Sequence, residues 1–193
     1  GTLTYGGSAD VKSLDINNGA TLTTGRSAIL RSSSGVSNRG TFNNSAIVES
    51  NVSNTGTVNL NSGSDIRGSL TGNGAVTSNG TNYIGGNITS SDFTLNSGIL
   101  GVGGTVNFDS TTANGGGISL VNQSTDTAGF GDMTLNGDIT MSMDINPQSS
   151  TSDTINLNSF TNTGNNKINL SVSSVNASSS SATFTVLPIR SDV

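Results

Sequence analysis

The chain contains no cysteine, no histidine and no tryptophan, and only 2 prolines in 193 residues. Without cysteine there is no disulfide framework and no thiol chemistry. The compartment stays open, because a cytosolic protein and one exported unfolded through a narrow pore both do without cysteine. Without histidine there is no Ser-His-Asp or Cys-His relay, and no His-ligated zinc or iron site. Aromatic residues are 4% and charged residues 10% of the chain, the latter against roughly 25% in ordinary domains. Hydrophobic residues are 31%, too few for a helical bundle or a thick α/β core. Lys and Arg number 7 against 12 acids, for a net charge of −5. Sequence-independent nucleic-acid binding needs a basic face, and none is present. The cations (Lys12, Arg26, Arg31, Arg39, Arg67, Lys167 and Arg190) are dispersed. Arg26, Arg31 and Arg39 come nearest to a cluster and read as solvated loop charge. No apolar run approaches the roughly 18 residues of a membrane-spanning helix. The chain opens on Gly1 with no signal peptide, which suggests a segment of a longer protein.

Gly, Ser, Thr and Asn fill more than half of the sequence. These residues disfavour helix interiors and favour turns and caps. Val, Ile, Leu and Phe nevertheless recur throughout, which argues against charged disorder. The clearest pattern is Met133 to Ile145. There Met133, Leu135, Ile139, Met141, Met143 and Ile145 alternate with polar residues, with Gly137 in the same phase. Period-2 alternation predicts a strand with one buried and one wet face. Shorter strands are predicted at Leu14–Ile16, Thr57–Leu60, Asp92–Leu95, Thr105–Phe108 and Lys167–Val172, and also at Gly1–Tyr5 and Thr183–Leu187. Turn dipeptides punctuate them: Asn18-Gly19, Asn73-Gly74, Asn79-Gly80, Asn114-Gly115 and Asn136-Gly137.

Gly40-Thr41-Phe42, Gly56-Thr57-Val58, Gly74-Ala75-Val76 and Gly104-Thr105-Val106 open strands at loosely repeating intervals. Self-similarity at about 20 residues is the mark of a solenoid. The pattern predicts an all-β parallel β-helix of roughly nine coils, a single unit over residues 1–193. Such a fold needs only a thin apolar column. Its backbone bonds between coils, glycine fits the corners, and asparagine can stack into ladders along the axis. The expected interior column is Leu60, Ile66, Leu95, Val106, Phe108, Met133, Leu135, Ile139, Met141, Met143, Ile145, Ile155, Leu157, Ile168, Leu170 and Val172. The stretch Ser173–Ser181 reads as a surface loop. Neither terminus reads as a capping segment, so the end coils are expected to contact another copy or a neighbouring domain.

The Asn/Gly/Thr coils, such as Gly40 to Ser45 and Asn54 to Asn59, resemble the passenger region of Gram-negative autotransporters and related type V secreted adhesins. The run Gly131 to Asp138, then Met143-Asp144-Ile145 and Ser152-Asp153-Thr154-Ile155, is similar to the last passenger coils of that group. Thr183 to Leu187 is similar to the strand before the autochaperone. The resemblance implies a right-handed β-helix at the bacterial cell surface, secreted across the outer membrane, and acting as an adhesin or biofilm component. It implies membrane attachment only through a β-barrel domain that this sequence does not contain.

Chemistry finds little to work with. Polysaccharide cleavage needs two placed carboxyls. Adjacent coils could bring Asp109 near Asp132, or Asp132 near Asp153. The adjacent Asp pair and His of polygalacturonase-like sites are missing. Gly129-Phe130-Gly131-Asp132-Met133 echoes half of a calcium-binding nonapeptide, but does not recur and reads as a turn. Gly101-Val102-Gly103-Gly104 and Asn114-Gly115-Gly116-Gly117 precede no helix that could hold a phosphate, and read as corners. No catalytic residue, metal ligand or cofactor is expected. Three functions remain: a surface adhesive or structural segment, a subunit stacking end to end into an extracellular filament, and, behind both, a polysaccharide-active enzyme.

Overall fold

Parallel pairing of each strand with the strand one turn further along the chain generates the whole architecture. The computed structural model describes residues 1–175, and the expected strand Thr183–Leu187 lies outside them. Among the described residues there is no helix, and 25 short strands line up in parallel. The one antiparallel pair is a small hairpin joining Ile145 and Asn146 to Ser152 and Thr151.

Three faces form a triangular coil. On the first face, Thr57–Asn61 lies between Thr41–Asn44 and Ala75–Asn79, in register throughout. On the second, Ile47–Glu49 lies between Ile29–Ser32 and Asp65–Ile66. On the third, Val52–Asn54 lies between Val36–Asn38 and Leu70–Thr71. The longer strands Ile88–Ser97 and Val106–Ala113 run through a corner and serve the third and first faces in succession. The chain is therefore a parallel β-solenoid of about seven turns, not the roughly nine expected. Among the described residues nine strands succeed one another on the first face, but the first and last belong to end rungs paired on one side only, and the turns between them differ in length. The register step from Thr41 to Thr57 is short, whereas Asp132 pairs with Ser159 across a long excursion. Thr2–Ile16 and the strands after Ser159 are end rungs, stacked on one side only among the described residues.

The corner glycines explain the Gly-Thr-Phe type openings. Thr41, Thr57 and Ala75 are stacked in register, so Gly40, Gly56 and Gly74 stack just before them. A Cβ on Gly56 would sit 2.7 Å from the Arg39 carbonyl carbon and closer still to the Gly40 carbonyl oxygen. Only glycine allows so close a backbone approach. Gly104 belongs to a different corner, because Val106 opens a strand on the third face, and its spacing from Gly74 is not a whole turn.

The interior is a continuous apolar column. Leu60, Ile66, Leu95, Val106, Phe108, Met133, Leu135, Ile139 and Met141 are buried as expected. Phe93 and Phe108 stack at 4.2 Å, and Phe130 tilts against Phe108 at 6.1 Å. Alternation fails after Met141: Met143 and Ile145 are only half-buried, while Asp144 is buried. Ile155, Leu157 and Ile168 pack partly buried against the column. Leu170 and Val172 stack on Met141 and Met143, on the inward files, yet are 44% and 56% exposed because they belong to the end rung.

Polar ladders run inside this column. Thr24 Oγ1 donates to Asn44 Oδ1 at 2.7 Å, and Asn44 Nδ2 donates to Ser64 Oγ at 2.5 Å. Ser64 N donates to Asn82 Oδ1 at 3.1 Å. At the next corner Asn38 Nδ2 donates to Asn54 Oδ1 at 2.8 Å. These amides satisfy corner backbone groups, as in Asn44 with the Ala46 N–H, and add a second donor to the Ala46 C=O beside Asp65 N.

Candidate functional site on the outer faces

The first face presents a hydroxyl and amide file. Thr4, Thr23, Asn43, Asn59, Thr77, Thr94, Thr112, Thr134 and Thr161 succeed one another in register along the wall. β-Branched threonine suits an exposed pleated surface. Asn59 Nδ2 donates to Asn43 Oδ1 at 2.7 Å. Beside it stands the stacked ladder the composition suggested. Asn96 donates to Asn79, Asn114 to Asn96 and Asn136 to Asn114, at 2.8, 2.8 and 2.9 Å.

The second face carries alternating charges. Arg31 bridges Asp10 at 3.7 Å and Glu49 at 2.6 Å, and Arg67 bridges Glu49 at 2.5 Å and Asp65 at 3.4 Å. Arg31 is thus paired, not merely solvated, and Glu49 holds its guanidinium even more firmly protonated than usual. The register brings them together: Asp10, Arg31 and Glu49 lie one turn apart in succession, and Arg67 follows on the next turn. Arg39 instead donates to Asn17 Oδ1 at 2.9 Å.

The third face holds a trough of about 460 Å³, lined by Thr105, Asn107, Asp109, Thr127, Gly129, Asn156 and Asn158 among others. Its floor is a missing side chain. The outward file of this face reads Asp15, Ser37, Ser53, Thr71, Thr89, Asn107, Gly129, Asn156, and only Gly129 leaves a gap. Nothing in the sequence before the register was known distinguished this glycine from the corner glycines.

The carboxylates sit among hydroxyls and backbone amides. Asp132 pairs in register with Ser110 and Ser159, so Gly131, not Asp132, is the rung neighbour of Asp109. Asp132 Oδ1 accepts from Ser159 Oγ at 2.8 Å, and Asp92 Oδ1 from Ser110 Oγ at 2.8 Å, giving a file of alternating Asp and Ser. Asp153 lies elsewhere, with Asp144 and Asp126. Its two oxygens accept from Asp126 N and Asp144 N, both at 2.7 Å. Asp144 Oδ2 accepts from Asn122 N at 2.8 Å and Gln123 N at 2.7 Å, and Gln123 is held in the left-handed region at φ 70°. Together these acids pin the loop after Leu120 and the hairpin after Ile145 to the wall. Among the described residues no group of three or more acids is placed to hold a metal ion. The glycine runs 101–104 and 114–117 lie in strands and corners, with no helix near them among the described residues.

Burial raises the Asp153 carboxyl above its ordinary value of 3.8; the backbone donors at Asp144 and Asp126 oppose the rise, and the Asp144 and Asp126 charges add to it. The sign follows. Between pH 3.8 and the raised value, the folded chain keeps a proton that the unfolded chain has released. This contribution to stability is therefore full below pH 3.8 and is lost as pH rises through the folded value. Urea midpoints measured from pH 4 to 7 should fall less steeply in Asp153→Asn than in the parent chain. Equal slopes would remove Asp153 as the source.

Comparison with protein-family models, with curated proteins and with solved structures finds no match. What the geometry defines is a parallel β-solenoid whose outer faces are ordered files of hydroxyls, amides and paired charges.

Proposed function

We propose that the chain is a non-enzymatic extracellular β-helix segment that presents repetitive polar faces for attachment to a cell or matrix surface. The observation that carries this reading is the first-face file from Thr4 to Thr161, unbroken and uncharged along the described wall. Hydroxyls and amides repeating every 4.7–4.9 Å or so offer many weak, parallel hydrogen bonds to a repetitive partner. Affinity would then come from number rather than from one pocket. The likeness to autotransporter passengers supports a right-handed coil, secretion across the outer membrane and display at the bacterial surface. Beads coated with the chain should adhere to cells or extracellular matrix, and adhesion should fall steeply when alternate threonines of the file become lysine. Adhesion no better than that of albumin-coated beads would reject the reading, as would loss of chain length in a polysaccharide on incubation.

A second reading, end-to-end stacking of copies into an extracellular filament, draws on the end rungs. Leu3, Leu170 and Val172 point along inward files yet are exposed. Strand edges there could template the rung of another copy. Concentration-dependent sedimentation that Leu170→Lys abolishes would support it; a monomer at every concentration would dismiss it.

A further inference from the structure

We infer that the trough on the third face binds a neutral sugar unit, with Asn107, Asp109, Asn156 and Asn158 as its hydrogen-bonding groups and Gly129 as its floor. This deepens the attachment reading by naming a ligand class for one place on the wall, and rests on that reading for its setting.

Three observations converge. First, Gly129 is the single gap in an outward file that otherwise carries a side chain on every rung. Second, the fold does not require glycine there. Gly129 is not among the glycines with positive φ. A Cβ on it would meet only the Asn107 amide oxygen at 3.3 Å and the Val106 carbonyl oxygen at 3.8 Å. The corner glycines differ: at Gly56, Gly98 and Gly131 a Cβ would collide with backbone. Third, the asparagines elsewhere on the wall close on one another, as Asn79, Asn96, Asn114 and Asn136 do. Asn107 and Asn156 cannot, because Gly129 keeps them two rungs apart, about 9–10 Å along the axis. That separation admits a pyranose ring with its hydroxyls between the two amides.

The chemistry selects the ligand class. Each amide offers two donors and an acceptor, and a carboxylate offers acceptors only. Sugar hydroxyls both donate and accept, so they can satisfy this mixture. Asp109 is the only charged side chain lining the trough, and no cation does, so phosphates and uronates are disfavoured. Phe108 borders the trough but turns its ring into the column against Phe93 and Phe130, so no aromatic face is offered for stacking, which places a single unit in the millimolar range.

Nuclear magnetic resonance titration of the 193-residue chain with cellotetraose, maltotetraose and chitotetraose tests this, with trigalacturonate as the anionic control. At least one neutral tetrasaccharide should saturate at millimolar concentration and move the side-chain amide signals of Asn107, Asn156 and Asn158. Affinity should drop at least tenfold in Gly129→Val, whose side chain occupies the floor between Asn107 and Asn156, and in the double variant Asn107→Ala/Asn156→Ala. The double variant alters only exposed groups and decides the matter if Gly129→Val fails to fold. The inference fails if none of the three saturates, if both variants bind as the parent does, or if trigalacturonate binds as tightly. Bead adhesion is scored separately. A chain that adheres but saturates with no tetrasaccharide keeps the attachment reading and loses the sugar site. One that saturates without adhering keeps the site and loses the setting.

Discussion

Replacing Gly56 by alanine should unfold the middle of the solenoid. The new Cβ would lie 2.7 Å from the Arg39 carbonyl carbon, 2.9 Å from the Gly40 nitrogen and closer still to the Gly40 oxygen. All three are backbone atoms of the turn below, so no side chain can swing away. Gly56 N also donates to Asn38 O at 3.2 Å and Asn54 Oδ1 at 3.1 Å, and Thr57 N to Gly40 O at 2.9 Å. Opening the corner to admit a methyl group would lengthen all of these bonds at once. The expected cost exceeds about 4 kcal/mol, the range of severe backbone and packing defects. Because solenoid turns contact only their neighbours, the damage should spread from this corner and not melt the whole chain uniformly. Hydrogen exchange should show lost protection at Thr41–Asn44 and Thr57–Asn61 first. Gly63→Ala is the control: Gly63 has a positive φ of 91°, which Gly56 does not share, but nothing within 4 Å of its Cβ, so it should cost only the backbone strain, about 1 kcal/mol. Equal losses in the two variants would show that the close approach costs no more than simple backbone strain, and so does not dictate glycine at Gly56.

The glycine corners also show which parts of the fold could be read in advance. Gly40, Gly56 and Gly74 recur because the same backbone approach recurs on each turn, so repetition in the sequence was repetition in space. The period-2 column was equally direct wherever a strand is buried on one side by the solenoid alone. It failed at Met143 because there the wall is covered by an excursion. Asn122, Gln123 and Asp126 close over Asp144 and Asp153, so a residue in the polar phase becomes the buried one. No local pattern announces that. The charge ladder and the trough were hidden for a different reason. Arg31 with Glu49, and Asn107 with Gly129 and Asn156, are neighbours only once the register is known. Since turn lengths vary, the register does not follow from an average repeat.

The same amide chemistry should have very different consequences inside and outside the coil. Asn44 has no exposed surface. It accepts from Thr24 Oγ1 and Ala46 N, and donates to Ser64 Oγ and Ala46 O, at distances of 2.5–3.2 Å. Asn44→Val would leave the Ser64 hydroxyl and the Ala46 N–H buried around an apolar side chain of similar size, while the Ala46 carbonyl keeps its bond from Asp65 N. Each orphaned group costs about 1–3 kcal/mol, and the low local polarity offers no substitute partner. The expected loss is about 3–5 kcal/mol. Asn96 makes comparable bonds to Asn79 and Asn114, both at 2.8 Å, but on the exposed side of the wall. Water replaces whatever Asn96→Val removes, and valine is the better strand former. Its effect should stay within about 0.5 kcal/mol. Urea unfolding of both variants measures the contrast directly. A large loss at Asn96 would mean that the outer ladder clamps the turns together. A negligible loss at Asn44 would mean that the interior ladder only fills space, and the polar column would then have to be explained by something other than the needs of the corner backbone.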